Sequence, residues 1–505
     1  MKLFRNLSLG LALGTLTAAG ALLSVAQPAA AQAPPGFLLL PGTNTSLLIT
    51  GQVGTRLIYD SAQTGTPGFY ELQADALVPI FIGVGPQSLA NTSSTGSIHL
   101  SSTDANIGFI TSTQTAWGPL ETVLILAAAN NGDTAYAPPG LPNFSTAVSP
   151  LLGFANIGPL MIGLNTSLFG DDDANPTSDM MNEPLGVAGV VGEIIPSMRY
   201  TWKGPGGFSI AGAVENAVSE GVVSYPGGSG FGNFDNVLFP GSVYQNLGNV
   251  HESGIYGPDQ VWSQGSLNGN EYVPNFVLKA RLDQPWGHIA LGAVITELNS
   301  SCDINCSAAG YGNTAVIPAS AGTMPDVSKT GWGLNLTGHL NTFGKDKLMG
   351  GAFVGQGLGT YMGDYGAQVG IAMGQNPATG AYIAEIPTEW GVFAAYKHFW
   401  TDQLRSTITG GYSQVQNESS TYCGGQALAV CNSVANFSAA LVNGVVAQDQ
   451  HWSISANLIW SPVNNVDLGV QAIYYHVQTD QANFINSGNN EGHDLRIEAG
   501  GAIRF

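Results

Sequence analysis

Five carboxylates stand close together in one polar segment of the chain, residues 169–194. They are Asp171, Asp172, Asp173, Asp179 and Glu183. Carboxylate oxygens bind hard metal ions, or they shape the electric field that a charged solute meets in a narrow opening. The run "DDDANPTSD" lacks the ligand order and the glycine of an EF-hand loop. Three interpretations stay open: an acidic ring at an opening, a solvated loop, and a structural cation site.

Six basic residues are the candidates to face these carboxylates. They are Arg56, Arg199, Lys279, Arg281, Lys397 and Arg405. Each belongs to a two-residue repeat: Lys397 and Glu389 share one face, for example, while Trp390 and Val392 share the other. A basic side chain that faces lipid near the membrane midplane costs about 2–4 kcal/mol. If the apolar face meets lipid, the six residues line an interior, where they contact solutes or only pair with acidic neighbours. A half-buried sheet of a soluble protein also alternates and is the other explanation.

Sequence motifs of catalysis are absent. The 8 histidines are scattered, and neither His-Glu-x-x-His, Gly-x-Ser-x-Gly nor a phosphate-binding loop occurs. We therefore expect a protein that is not an enzyme, with no catalytic residues, no metal and no cofactor. The alternative is a barrel enzyme, a lipase or protease, whose catalytic set is assembled from distant strands.

The elements that must position the charged residues are β-strands. The two-residue repeats predict sixteen of them, with boundaries good to a few residues. They lie near 46–60, 97–115, 119–130, 150–157, 160–168, 195–203, 207–218, 273–283, 286–298, 329–341, 347–357, 388–400, 403–415, 450–461, 465–478 and 493–505.

The connections between these strands alternate strictly between long and short. Long segments such as 61–96 and 219–272 follow odd-numbered strands, and short turns such as "GPGG" at 204–207 follow even-numbered ones. Outer-membrane barrels sort their loops in this way, with turns on the periplasmic side. The sequence therefore predicts an all-β fold: a transmembrane antiparallel β-barrel of about 16 strands, with short periplasmic turns and long external loops. Segment 169–194 is then the third external loop.

Aromatic residues mark the two edges of the expected membrane band. Trp390 and Trp400 lie on one face, ten residues apart. At about 3.3 Å per residue and a tilt near 40°, they span roughly 25 Å along the membrane normal. Trp202, Trp286 and Phe505 fall near turn-side strand ends in the same way. Two girdles of interfacial aromatics are the expected arrangement.

The N-terminus predicts export. Lys2 and Arg5 precede an apolar stretch, and "PAAAQAPP" supplies small residues for cleavage. We expect residues 1–31 to be a signal peptide, 32–45 a short periplasmic segment, and 46–505 a barrel in the bacterial outer membrane. Charged residues make up 10% of the chain, far below the ~25% of soluble domains. The excess of acidic over basic residues argues against nucleic acid as a partner and suggests acidic surroundings.

The chain contains 4 cysteines, arranged as two close pairs. Cys302 and Cys306 form one pair, and Cys423 and Cys431 form the other. In an exported protein such pairs are candidate disulfides, here in external loops. The Cys-x3-Cys spacing could also bind a metal, but no histidine or further cysteine stands nearby in sequence.

Five stretches resemble the DcaP-like porins, trimeric sixteen-stranded outer-membrane channels. They are "LPGTNTSLLITGQV" (40–53), "NIGPLMIGLNTSLFGDDDANPTSDMMNEPLG" (156–186), "GWGLNLTGHLNTFGKDKL" (331–348), "YKHFWTDQLRSTITGGYSQVQN" (396–417) and "LIWSPVNNVDLGVQAIYYH" (458–476). The resemblance implies a homotrimer and passage of small, often anionic molecules such as dicarboxylates. It also implies that the third external loop, 169–194, folds inward, as this loop does in porins generally. Family members carry more arginines before "NIGP" and before the sixth strand, where this chain reads "SPLLGFA" and "GEIIPSM". Anion or cation preference therefore stays open.

These observations together predict an outer-membrane porin that lets small hydrophilic solutes diffuse through a water-filled pore. The partners expected are membrane lipid and lipopolysaccharide, small-molecule solutes, and the outer-membrane assembly machinery. Phe505 resembles the terminal aromatic signal that this machinery reads. Besides the enzyme, one further alternative remains: a non-conducting barrel whose loops serve adhesion or phage reception.

Overall fold

The computed structural model describes the strands, the short turns and parts of the long loops. The described residues are 36–61, 96–101, 105–130, 146–176, 187–192, 194–216, 267–269, 273–302, 327–358, 361–362, 372–375, 382–386, 388–416, 448–479 and 491–505. The expected signal peptide, Asp179, Glu183, Cys306, Cys423 and Cys431 lie outside them. The side chain of Cys302 is also outside the described part.

Twenty-one strands occur in this part of the chain. They are β1 (Leu38–Leu39), β2 (Thr45–Asp60), β3 (Ser97–Ser101), β4 (Asn106–Thr115), β5 (Gly118–Asn130), β6 (Thr146–Ile157), β7 (Leu160–Thr166), β8 (Ile194–Lys203), β9 (Phe208–Glu215), β10 (Leu267–Gly269), β11 (Asn275–Gln284), β12 (Gly287–Cys302), β13 (Val327–Asn341), β14 (Lys347–Gln356), β15 (Ala372–Gln375), β16 (Tyr382–Glu385), β17 (Thr388–Phe399), β18 (Leu404–Gln416), β19 (Gln448–Val463), β20 (Val466–Thr479) and β21 (Glu491–Arg504).

Sixteen wall positions form a closed antiparallel cylinder, which confirms the predicted fold. Consecutive strands pair around the wall, and β21 pairs with β2 to close it. Strands β3 and β4 both pair with β2, so both described parts of the predicted strand 97–115 belong to one wall position. Strand β10 pairs with β12 alongside the loop-side end of β11. Strands β15 and β16 form a separate two-stranded sheet.

The wall alternates between an exposed apolar face and a buried face. On β13, Trp332, Leu334 and Leu336 are more than 40% exposed, whereas Asn335 and Thr337 are buried. The large apolar side chains of the other strands follow the same phase, because the surface of a membrane barrel faces hydrocarbon. Within the described residues no helix is long and apolar enough to cross a membrane.

The seam between the first and last strands has two parts. Strand β21 pairs with β2 from Gln52 to Asp60, and the N–H of Phe505 donates to the carbonyl of Gly51 over 3.1 Å. Nearer the turns, β1 pairs with β2 at Leu47 and Ser46. Strand β1 therefore continues the line of β21 beyond the last residue, so the edge of β2 stays covered.

Among the described residues, two apolar clusters lie in the interior. The first, called the lumenal core, joins residues of the inward-facing wall to two loop segments: Leu168, Phe169, Val191, Ala211, Ala213, Val277, Val294, Phe353, Leu358, Tyr361, Met362 and Val415. The second, called the apolar wall, consists of Ile110, Val123, Ile125 and Leu152 on β4, β5 and β6, with Phe37 and Leu48 packed against it.

Candidate functional site

The third loop begins by following the inner face of the wall. Glu215, at the end of β9, is fully buried and accepts two hydrogen bonds from this loop. The N–H of Leu168 donates to its Oε1 over 2.6 Å, and the hydroxyl of Ser167 donates to its Oε2 over 2.7 Å. A carboxylate that accepts several hydrogen bonds in a buried place fixes the path of the backbone that donates them.

Carbonyl groups of the same loop receive hydrogen bonds from the wall. Arg199 donates to the carbonyl of Thr166, the last residue of β7 before the loop, over 2.6 Å, and Asn335 donates to that of Phe169 over 2.8 Å. Lys279 donates to the carbonyl of Gly170. Two of the basic residues predicted to line the interior therefore hold the loop backbone with their charged ends.

Asp171 is the most strongly held carboxylate of the loop. Its Oδ2 accepts hydrogen bonds from His288 Nε2 over 2.8 Å and from Thr337 Oγ1 over 2.6 Å, and Arg281 lies 3.5 Å from Oδ1. Burial alone would raise the pKa of Asp171, but the hydrogen bond from His288 and the charge of Lys279 outweigh it and hold this pKa well below its usual range. The side chain is an anchor between β11, β12 and β13.

The three consecutive aspartates, Asp171, Asp172 and Asp173, have different partners. Asp172 accepts a hydrogen bond from Oγ1 of Thr166, the last residue of β7, over 2.6 Å. Asp173 pairs with Arg281 over 2.6 Å, and its side chain remains 56% exposed. Arg281 also pairs with Asp283 over 2.7 Å. Asp173, Arg281 and Asp283 therefore form an alternating row of charges that water can reach.

The loop returns along the opposite part of the wall. The N–H of Ala188 donates to Ser453 Oγ on β19 over 3.2 Å, and the N–H of Gly192 donates to the carbonyl of Tyr361 over 2.8 Å. Gly189 has a positive φ of 80° and lies against the backbone of Val392. A side chain at position 189 would collide with that strand, so glycine is required for this close approach.

A second segment, Gly357–Leu358 with Tyr361–Met362, packs beside the loop. Glu389 on β17 is buried and accepts the N–H of Leu358 over 2.7 Å. The Tyr361 hydroxyl donates to Glu215 Oε2 over 3.3 Å, and its ring meets Phe169 edge-on with centroids 5.2 Å apart. Glu215 therefore ties two separate loops to one point of the wall.

The remaining predicted basic residues lie elsewhere. Arg56 is buried on β2, and Arg405 donates to Ser461 Oγ over 2.7 Å and to Asp467 over 3.0 Å. The Lys397 ammonium lies 5.4 Å from the centroid of the Phe399 ring. The structure thus brings Arg199, Lys279 and Arg281 to the third loop, while Arg56, Lys397 and Arg405 occupy other sectors.

Several residues of the site were not among the sequence candidates. Glu215 and Glu389 stand on the buried phase next to long connections, a placement that the two-residue period indicates for Glu389. His288, Thr337 and Asn335 also lie on that phase. Tyr361 belongs to a loop without periodicity, so no signal in the sequence points to it. Among the described residues no group of His, Cys, Asp and Glu side chains is arranged to hold a metal ion.

Phe505 lies at the seam, away from the third loop. Its ring packs over Gly51, and its carbonyl accepts a hydrogen bond from Thr50 Oγ1 over 3.0 Å. The side chain is 59% exposed on the phase shared with Ile503 and Ile497. It therefore faces outward at the turn-side edge.

The architecture is similar to that of a solved outer-membrane channel. A search of curated proteins finds no match. Among solved structures, the outer-membrane channel DcaP of Acinetobacter baumannii superposes with a TM-score of 0.58 at 13% identity, covering 93% of this chain and 99% of that one. An anion-selective porin from Comamonas acidovorans gives 0.45 at 7% identity, with coverages of 91% and 100%. OmpF of Salmonella typhi, in complex with daunomycin, gives 0.43 at 11% identity, with coverages of 92% and 98%.

The family assignment rests on the sequence profile. The model of a family described as a porin subfamily matches residues 35–499, nearly the whole chain. This match and the DcaP-like fold confirm the family resemblance expected from the sequence. The chain belongs to the porin subfamily of outer-membrane β-barrel channels.

Proposed function

We propose that the third loop, residues 169–194, forms the constriction of a water-filled pore for small hydrophilic solutes. The carrying observation is the anchorage of this loop at two distant parts of the wall, through Glu215 and Asp171 on one side and Ser453 on the other. Anchors of this kind hold a loop across an opening instead of above it. The narrowest ring and its charges then set which solutes pass.

The charges beside the proposed constriction are mixed. The side chains of Asp173 and Asp283 are exposed, and that of Arg281, which pairs with both, is 23% exposed. A solute that passes this row meets a carboxylate and a guanidinium close together, which favours polar molecules and small organic acids, dicarboxylates included, over apolar ones. The resemblance to DcaP-like porins points to the same solute class.

Conductance in planar bilayers tests the channel itself. We expect the reconstituted protein to give discrete ion currents, and liposome swelling to show uptake of succinate and of a neutral sugar. Asp173→Asn should shift the reversal potential in a salt gradient toward anion selectivity, and Arg281→Gln should shift it toward cations. A folded barrel without any current would contradict the proposal.

The two alternatives give different results. A non-conducting receptor barrel would bind cells or phage while giving no current. A barrel enzyme would hydrolyse ester or peptide substrates and would lose that activity when candidate serines are replaced. The family and the fold point to a channel and not to an enzyme.

We further propose a homotrimer that uses the outer face of β2, β4 and β5. There, Thr45 and Thr113 hydroxyls pair over 2.8 Å, and Thr111 and Thr122 pair over 2.6 Å. Such pairs satisfy polar groups on a surface without water. Thr111→Arg should convert the trimer to monomer in native electrophoresis and light scattering, and the same substitution at Ile408, on β18, should not.

A further inference from the structure

Three side chains with soft or borderline ligand atoms form a transverse row on the inner wall. His288 on β12 is the direct cross-strand neighbour of His339 on β13, and His339 is the neighbour of Met349 on β14. All three occupy the inward-facing phase, because the apolar residues adjacent to them in sequence are exposed on the outer face. Neighbours in such a row have Cβ atoms about 4.5–5.5 Å apart. The inner face of a barrel is concave, so the side chains of the row converge toward the lumen.

The imidazole of His288 uses one of its two nitrogens in a hydrogen bond. Its Nε2 donates to Asp171 Oδ2 over 2.8 Å, and the side chain is only 1% exposed. The Nδ1 atom of the same ring is buried and has no hydrogen-bond partner among the described residues. A neutral imidazole that donates from Nε2 presents a lone pair at Nδ1. This buried lone pair therefore needs a donor or a metal ion.

The contact with Asp171 is the one that metal-binding histidines commonly make. A histidine that ligates through one nitrogen almost always donates its other N–H to a carboxylate, a carbonyl or water, which fixes the tautomer and the ring orientation. Asp171 is itself held by a hydrogen bond from Thr337 over 2.6 Å. The orientation of His288 is therefore set by the third loop and by β13, and Nδ1 is left as the ligating atom.

His339 supplies a second imidazole next to the first. The rings of His288 and His339 meet edge-on, with centroids 4.5 Å apart and an interplanar angle of 80°. The Nδ1 atom of His339 is also buried and has no hydrogen-bond partner in the described part of the chain. The residue as a whole is only half-buried. We therefore expect its ring to turn on the lumenal side until both Nδ1 lone pairs meet one ion.

The third member of the row decides which metal suits the ligands. Met349 is 5% exposed and offers a thioether sulfur. Thioethers are soft ligands that select Cu(I), whereas Ca²⁺ and Mg²⁺ prefer oxygen ligands. Among the described residues no group of three or more His, Cys, Asp and Glu side chains surrounds one point, so the row contributes no anionic ligand. Two imidazoles and a thioether form a neutral, soft set.

The charges around the row also favour a monovalent ion. Those that act on the half-buried imidazole are Lys347 and Arg281, which are positive, and Asp173, which is negative. Deeper in the wall, Lys279 and Asp171 lie close together with opposite charges. Positive groups therefore outnumber negative ones near the row. Because Coulomb repulsion is proportional to the charge of the ion, a divalent metal is repelled twice as strongly as Cu(I).

We propose that His288 Nδ1, His339 Nδ1 and the sulfur of Met349 bind one Cu(I) ion per chain on the inner wall of the barrel. The ion lies beside the third loop, since Asp171 joins that loop to His288. The half-buried ring of His339 gives it access from the lumen. Binding at this row does not depend on whether the barrel conducts.

Titration of the detergent-solubilised barrel with Cu(I), kept reduced by ascorbate, tests the site. The protein carries no histidine tag, and its thiols are alkylated first because thiolates compete for Cu(I). We expect competition with a chromophoric Cu(I) chelator to reveal one tightly bound equivalent per chain. X-ray absorption of the loaded protein should show both nitrogen and sulfur at bonding distance from copper.

Met349→Leu is the discriminating variant, because leucine has a similar volume and preserves the packing. We expect its Cu(I) affinity to fall at least tenfold and the sulfur signal to disappear, while the weaker Zn²⁺ affinity stays within threefold of wild type. Met161→Leu is the matched control: Met161 is a buried methionine of the inner wall on β7, outside the row, and its replacement should change none of these values. His339→Ala should abolish the tight equivalent.

Two results would overturn the proposal. One is equal Cu(I) affinity of Met349→Leu and Met161→Leu, with an unchanged sulfur signal. The other is a wild-type protein that binds no Cu(I), because His288 Nδ1 is then satisfied by water alone. Circular dichroism and heat-modifiable mobility of each variant separate a loss of copper from a loss of fold.

Discussion

Two parts of the inner wall hold the interior in different ways. On β9, β11, β12 and β13 the third loop is attached through charged and polar groups, among them Glu215, Lys279 and Asp171. On β4, β5 and β6 the apolar wall presents Ile110, Val123, Ile125 and Leu152. Hydrogen bonds are directional and leave costly unsatisfied groups when broken, whereas apolar packing has no preferred direction. The polar region therefore fixes the position of the third loop, and the apolar wall contributes to the stability of the barrel.

The strongest test of this comparison removes the shared acceptor. Glu215→Ala removes the acceptor of three hydrogen bonds, which the Leu168 N–H and the hydroxyls of Ser167 and Tyr361 donate. Each buried unsatisfied group costs about 1–3 kcal/mol, so the free energy of unfolding should fall by about 3 kcal/mol or more. Because two loops lose their anchor, single-channel conductance should also rise. Glu215→Gln keeps one of the two acceptor oxygens and should restore part of both properties.

A substitution in the apolar wall should affect stability alone. Leu152→Ala should lower the free energy of unfolding by about 2–4 kcal/mol, because a buried leucine leaves a cavity. Urea unfolding of the detergent-solubilised barrel measures the loss, and conductance should stay at the wild-type value. Leu334→Ala, on the exposed face of β13, is the matched control with a smaller loss. A conductance change in Leu152→Ala would show that both regions position the loop.

Lowering the pH should perturb the polar region less than removing a side chain does. The pKa of Asp171 is lowered in the folded protein. Its contribution to stability is therefore complete above the ordinary carboxyl pKa of about 3.9 and is lost only as the pH falls through the lowered value. Wild-type open-channel noise should stay constant from pH 7 to about pH 4 and Asp171→Asn should be noisier throughout. Asp173→Asn, which removes an exposed carboxylate, should leave the noise unchanged. Noise that rises in the wild type already near pH 5 would contradict this role of Asp171.

The smallest effect on either region should come from the seam. Deleting Phe505 removes a ring that touches Gly51 on the outer face and neither inner region. We expect less assembled protein in the outer membrane, because the terminal aromatic resembles the assembly signal. The surviving pores should conduct as the wild type does. Quantitative blotting of heat-modifiable barrels and bilayer recording measure the two quantities separately.

The strands were predictable because their signals are local. Alternation along β13 and β17 follows from the pleat, and the penalty for a charge in lipid places Lys279 and Arg281 on the inner phase. The role of Lys279 was not predictable, because its bond to Gly170 depends on where a loop lies that is distant in sequence. The same holds for Glu215, which meets Tyr361 across 146 positions of the chain. The two-residue period of a strand predicts which face a side chain occupies. The groups that this side chain contacts depend on the path of the loop.

The pairing of the first and last wall strands, β2 and β21, bears on how the barrel folds. Thr50 contacts Phe505 across 455 positions of sequence, and β1 extends the same edge where β21 stops. Contacts between residues so distant in sequence form late, because closing the loop between them costs a large amount of conformational entropy. We therefore expect the cylinder to close as the final event of assembly. Until then β2 and β21 remain open edges, each needing protection from pairing with a neighbouring molecule.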